Sequence, residues 1–188
     1  MIRNARGRAA RASLSCLFAA LCAAGAFVAL PIPGSPVPIV AQNLFVVLAG
    51  LLLGPLWGSA AVLAFLCLGA LGFPVFSGGR GGLALFAGPT GGYLVGYALA
   101  AFASGLVARK RGLARSALGA VLGFALILAL GVLRLKLLKE VEWGAALALG
   151  LLPFLPGDAV KAVLATLVAA KLGPFADSLT GRGSHGRA

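Results

Sequence analysis

The motif Pro156-Gly157-Asp158-Ala159-Val160-Lys161 sets a carboxylate and an ammonium three positions apart at the head of an apolar run, residues 157–173. Only 4 acidic residues occur in the whole chain, so Asp158 is no ordinary solvated charge. If a helix begins near Gly157, Asp158 and Lys161 share one face of its first turn. Two chemistries fit. Asp158 could cap the helix and pair with Lys161. Alternatively, the two could read a polar ligand, because ionisable groups inside apolar spans are costly and mark functional sites by default. Catalysis has little material. The one histidine, His185, stands in a polar tail, and Cys16, Cys22 and Cys67 sit in apolar runs at spacings that suit neither a metal site nor a redox pair. The cysteines read as packing residues, and no cofactor or metal is expected. A small membrane enzyme using Asp158 as acid or base, or a purely structural membrane protein, are the competing classes.

Other polar groups cluster near apolar boundaries. Gln42 and Asn43 follow the stiff proline-rich segment PIPGSPVPIV and either cap the next helix or face a pocket. Residues 73–93, FPVFSGGRGGLALFAGPTGGY, combine glycines with Arg80, Tyr93 and the apolar Phe73, Phe76 and Phe86. They lack the Gly-Lys-Ser/Thr ending of a phosphate-binding loop. Glycine permits close backbone approach, and irregular backbone at membrane depth is tolerated only when buried or lining a cavity. The segment therefore reads as a lid over a pocket; the alternative is a plain exposed surface loop, for which Phe73, Phe76 and Phe86 are too apolar.

The elements that position these groups follow from composition. With 61% apolar and 11% charged side chains over 188 residues, the chain reads as an integral membrane protein, all α. A bilayer core about 30 Å thick takes about 20 apolar residues per helical crossing. Apolar runs and their breakers place helices at 13–30, 41–54, 56–72, 90–108, 115–135 and 157–173. This predicts a single six-transmembrane-helix bundle, with a further short apolar segment at 143–152. Gly54-Pro55 alone joins the second and third spans, which predicts a tight hairpin. The basic lead and first apolar run resemble a secretory signal, but the apolar character continues beyond them, so the run reads as the first helix.

Charge sets the orientation. Arg3, Arg6, Arg8, Arg11, Arg109, Lys110, Arg111, Arg115, Lys171, Arg182 and Arg187 fall on one face of that topology, which predicts that both termini are cytoplasmic. Arg80, Arg134, Lys136, Lys139 and Lys161 fall on the other. No basic stretch carries the aromatic interleaving that nucleic-acid binding requires. Small residues recur at four-residue spacing, as in Gly92 and Gly96 or Gly119 and Gly123, and let helices approach closely in lipid. Ala19, Ala20, Ala23 and Ala24 make a smooth face that either packs inside the bundle or docks a partner.

Three stretches in order, SPVPIVAQNLFVVLAGLLLGPLWG, LGALGFPVFSGGRGGLALFAGPTGGYLVGY and PFLPGDAVKAVLA, resemble the BioY family, the biotin-binding S components of energy-coupling factor transporters. The resemblance runs from about Leu14 to Gly173. It implies six helices in the bacterial cytoplasmic membrane and a biotin site near the extracellular surface. It also implies a transmembrane coupling protein and cytoplasmic ATPase subunits as partners, which must supply ATP hydrolysis. The P-G-D-x-x-K motif maps onto Asp158 and Lys161, and the tyrosine of G-P-T-G-G-Y onto Tyr93. The docking motif of the first helix matches Ala20-x-x-x-Ala24 or Ala19-x-x-x-Ala23. On this reading Asp158 accepts a ureido N–H, with Gln42 or Asn43 completing the polar cluster. Phe73, Phe76, Tyr93 and Trp143 are the candidates to pack on the rings, Gly79 belongs to the lid, and Lys161 or Arg80 neutralises the valerate carboxylate. An S component for another small vitamin is the alternative within transport.

Overall fold

The computed structural model describes residues 2–32 and 34–181, leaving aside the side chains of residues 2–5. Pro33, Arg182, His185, Arg187 and the Arg3 side chain lie outside the described residues. The order is α1 (Ile2–Gly25), β1 (Ala29–Leu30), β2 (Ile39–Val40), α2 (Gln42–Ala70), α3 (Ala84–Ala87), α4 (Gly91–Val107), α5 (Leu113–Lys139), α6 (Trp143–Gly150) and α7 (Leu155–Thr180). Among the described residues α2, α5 and α7 are long and apolar enough to cross a membrane.

The seven helices differ in number from the six expected because two are short and α2 is continuous through Gly54-Pro55. Yet α2 is no rod. Gly54 takes φ 83°, a left-handed value glycine adopts at little cost, and Pro55 follows. A Cβ added at Gly58 would sit 2.6 Å from the Ala49 carbonyl oxygen. On an unbroken helix those residues would be about 13 Å apart. The two arms therefore fold back on each other as a tight hairpin. Because Pro55 has no N–H, the break strands carbonyls of the first arm, and Arg111 meets them. Its Nη1 donates to Leu51 O at 2.5 Å and its Nη2 to Leu52 O at 2.9 Å.

Boundaries shift where tertiary partners reach past the apolar runs. The first helix starts at Ile2 and ends at Gly25, where 13–30 was expected. Alanine and arginine are good helix formers, so the basic lead continues the helix. Arg11 anchors it by donating from Nε and Nη2 to Thr180 O, at 3.1 and 2.8 Å. Beyond Gly25 the chain turns into β1, which pairs antiparallel with β2, Ala29 opposite Val40 and Leu30 opposite Ile39. The proline-rich segment is the loop of this ribbon. Helix α7 starts at Leu155 and runs through Pro174 to Thr180, longer at both ends than 157–173.

Helix α4 packs between α2 and α5. Gly96 lies against the backbone of Ile127, and Gly119 against the Ser104 carbonyl, so both glycine pairs serve packing within the bundle. Cys22 is buried in the core, whereas Cys16 and Cys67 are exposed and pack less than expected. At one end of the bundle stand the start of α2, the glycine-rich segment, the start of α4, α6 and the start of α7. At the other stand the α2 hairpin tip, the α4–α5 link and the end of α7, together with most of the arginines.

Candidate ligand-binding site

A cavity opens at the first of these ends. The ribbon supplies Val37, Pro38 and Val40 to its wall, α2 supplies Gln42 and Asn43, and α4 supplies Tyr93, Leu94 and Tyr97. The glycine-rich segment adds Phe76, Ser77 and Arg80, and α7 adds Asp158.

Its polar pole is a cross-helix cluster. Asp158 Oδ1 accepts from Asn43 Nδ2 at 3.0 Å and from Lys161 Nζ at 2.9 Å. Lys161 also donates to Asn43 Oδ1 at 2.9 Å and to Val40 O at 2.8 Å, so every N–H of the ammonium is committed. Lys161 does not line the cavity; it braces Asn43 and Asp158 from behind. What remains is asymmetric. Asp158 Oδ2 and Gln42 Nε2 are buried without a hydrogen-bond partner among the described residues, being on residues 4% and 1% exposed. A buried group left unpaired costs about 1–3 kcal/mol, and more when charged. Together they offer one acceptor and one donor to a ligand carrying an N–H and a carbonyl.

The capping alternatives fail. The N-cap of α7 is Phe154 and that of α2 is Ala41, and neither helix has a side-chain cap. Asp158 is already inside α7, its N–H donating to Phe154 O at 2.8 Å. Being in the first turn, it still gains from the positive end of the helix dipole.

Apolar walls face this pole. Gly78 and Gly79 hold φ of 74° and 70°, closing a turn in which Phe76 and Arg80 pair through their backbones. That turn drops Phe76 into the bundle, edge-on to Phe65 at 5.4 Å and to Phe86 at 5.7 Å. It leaves Arg80 exposed, with Nε donating to Ser77 O at 3.1 Å and no partner for its terminal nitrogens among the described residues. Tyr93 packs on Gly131 and donates its hydroxyl to Gly150 O at 2.8 Å, so it serves as a wall rather than a donor to the cavity.

The family model for BioY matches residues 3–177. The chain belongs to the BioY family. Its relatives include the probable biotin transporter BioY of Pyrococcus horikoshii, 42% identical over 88% of this chain and 97% of that one. The biotin transporter BioY of Rhodobacter capsulatus is 44% identical over 86% and 92%, and that of Thermotoga maritima 40% over 83% and 91%. Among solved structures, the crystal structure of the S-component for biotin from an ECF-type ABC transporter superposes with a TM-score of 0.83. The identity is 31%, over 88% of this chain and 91% of that one. The chain is thus a multi-pass membrane protein of the BioY family.

In this BioY-family fold, Gln42, Asn43, Arg80, Tyr93 and Asp158 converge on one cavity. Phe73 and Trp143 do not reach it, being 55% and 54% exposed, and Gly79, within the turn, does not line it. Sequence reasoning missed Tyr97, Ile127, Leu128 and Phe154 in the wall. Tyr97 was recoverable, since it follows Tyr93 by one helical turn. On α1, Ala19 is in the core and Ala23 packs against it, while Ala20 and Ala24 are exposed. The outward register is therefore Ala20-x-x-x-Ala24, and Ala19 and Ala23 cannot form a docking face.

Proposed function

We infer that this chain binds biotin and mediates its uptake as the S component of an ECF-type transporter. Membership of the BioY family and the named relatives support the reading. The observation that carries it is the buried, unpaired combination of Asp158 Oδ2 and Gln42 Nε2. A ureido group offers an N–H to the first and a carbonyl to the second. The thioether-containing bicycle lies against Phe76, Tyr93 and Tyr97, and the valerate reaches Arg80, whose terminal N–H groups are free among the described residues where those of Lys161 are committed. The glycine-rich segment acts as the lid, and its amide exchange should slow when biotin is added.

Six crossings, α1, the two arms of α2, α4, α5 and α7, account for the bundle, with both termini and the arginine-rich end cytoplasmic. A transmembrane coupling protein docks on Ala20 and Ala24, and ATPase subunits on the cytoplasmic side supply the energy. Replacing both alanines by Leu should abolish partner-dependent uptake and leave biotin binding intact; unchanged co-purification with the coupling protein would remove this interface. No catalytic role is assigned to Asp158. The deciding experiment is binding of radiolabelled biotin to the purified chain, expected to be stoichiometric, saturable and without turnover. Absence of saturable binding, or chemical conversion of the bound molecule, would overturn the reading.

A further inference from the structure

At the arginine-rich end, a second, open hollow lies between α1, the α2 hairpin tip and the end of α4. Leu53, Pro55, Leu56 and Trp57 form its apolar side, and Arg11 and Arg109 its rim. Both arginines are available. Arg109 has no side-chain hydrogen bond or ion pair among the described residues. Arg11 is held in place by its Nε and Nη2 bonds to Thr180 O, which leave Nη1 free. The carboxylate available at this end, Asp177, is already paired with Arg111 through both oxygens. Among the described residues the hollow is therefore a preorganised cationic rim without a counter-charge, beside a hydrocarbon surface on which Leu56 is 74% exposed.

We propose that this hollow binds the phosphate of an anionic phospholipid, with Arg11 and Arg109 gripping the headgroup and Leu56 and Trp57 contacting the upper acyl chain. The chemistry favours a lipid over a free anion because the arginines adjoin exposed apolar side chains at the end of membrane-spanning arms. Guanidinium groups match phosphate geometry, basic pockets between helices on the cytoplasmic side suit such headgroups, and tryptophan favours the interfacial level. The inference rests on the membrane orientation proposed above but not on the identity of the transported ligand.

The chain has 2 tryptophans, Trp57 and Trp143, so Trp143→Phe leaves Trp57 as sole reporter at the hollow. In nonionic detergent, short-chain phosphatidylglycerol should change Trp57 fluorescence saturably, and phosphatidylcholine of equal chain length should not. Arg109→Gln should weaken the phosphatidylglycerol response at least about fivefold, and Arg109→Lys should retain most of it. Arg109 is exposed and unpaired, so neither variant threatens the fold. An equal response to phosphatidylcholine would reduce the hollow to a generic apolar groove. Saturation by inorganic phosphate at the same concentration would make it a free-anion site. An unchanged titration for Arg109→Gln, or a response that needs a co-purified membrane partner, would also overturn the proposal. Biotin affinity, measured on the same samples, should be the same in every variant.

Discussion

Asp158 and Asp177 stand near opposite ends of α7, and each pairs with a cation, but the two pairs leave different things over. Asp177 gives both oxygens to Arg111, at 2.9 Å from Nε and 2.7 Å from Nη2, while the rest of that guanidinium meets Leu51 O and Leu52 O. Both carboxylate oxygens are engaged there, and four of the five guanidinium N–H groups donate. Asp158 gives only Oδ1 to Asn43 and Lys161, and Oδ2 is buried with no partner. A saturated ion pair ties helices together. A half-saturated one, held rigid from behind and facing a cavity, is built for a ligand. The ligand's own hydrogen bond relieves the desolvation that the empty site carries.

The comparison breaks first at the clamp. Arg111→Met removes every one of those bonds and strands a part-buried Asp177, at a cost of about 3 kcal/mol. For a chain of this size that is a fall of roughly 6–12 °C in the thermal midpoint in detergent. Biotin affinity of the folded fraction should stay within about twofold, and a large loss of affinity would show that the two ends are coupled.

At the other end, Lys161→Met should weaken biotin by about thirtyfold, or about 2 kcal/mol. Biotin and a biotin ester should lose equally, because the ammonium braces Asp158 and Asn43 and does not meet the carboxylate. A selective loss for the acid would return Lys161 to the valerate end. Asp158→Asn keeps the shape but replaces the unpaired charged acceptor, and should cost about tenfold in affinity, 1.4 kcal/mol, with the fold retained although Lys161 loses its charged partner. Wild-type affinity in this variant would remove Asp158 from ligand reading. The smallest effect is expected at the exposed rim. Arg80→Gln should weaken biotin only about threefold and leave the ester unaffected, since a solvated ion pair contributes about 0.2–1 kcal/mol. Isothermal titration with acid and ester separates the outcomes.

Patterns along the chain made several features legible before any coordinates. Composition alone called for a helical membrane bundle, and Gly54-Pro55 marked the fold-back, because proline withholds a donor and glycine accepts φ of 83°. The rarity of carboxylates drew attention to Asp158, and four-residue spacing found the glycine contacts of α4 and α5. Helix ends were less legible, as the basic lead of α1 shows. Its arginines read as a tail by hydropathy, yet they are good helix formers, and Arg11 is secured by Thr180 from the far end of the chain.

Which aromatic enters the cavity was not written in spacing either. Phe73 and Phe76 are equally apolar, and the turn at Gly78 and Gly79 sends Phe76 inward while Phe73 stays 55% exposed. The same holds for the alanines of α1, where either register satisfies the four-residue repeat and only packing against the core separates Ala20 from Ala19. The charges show the division most clearly. Residue types and local spacing suffice to say that Asp158 and Lys161 share a helix face, since a helix brings such positions together wherever it forms. They cannot say how much hydrogen-bonding capacity remains, because that depends on partners distant in sequence: Asn43 stands 115 positions from Asp158, and Arg111 stands 66 from Asp177. Leftover capacity is a property of the packed bundle, and it separates a binding carboxylate from a clamping one.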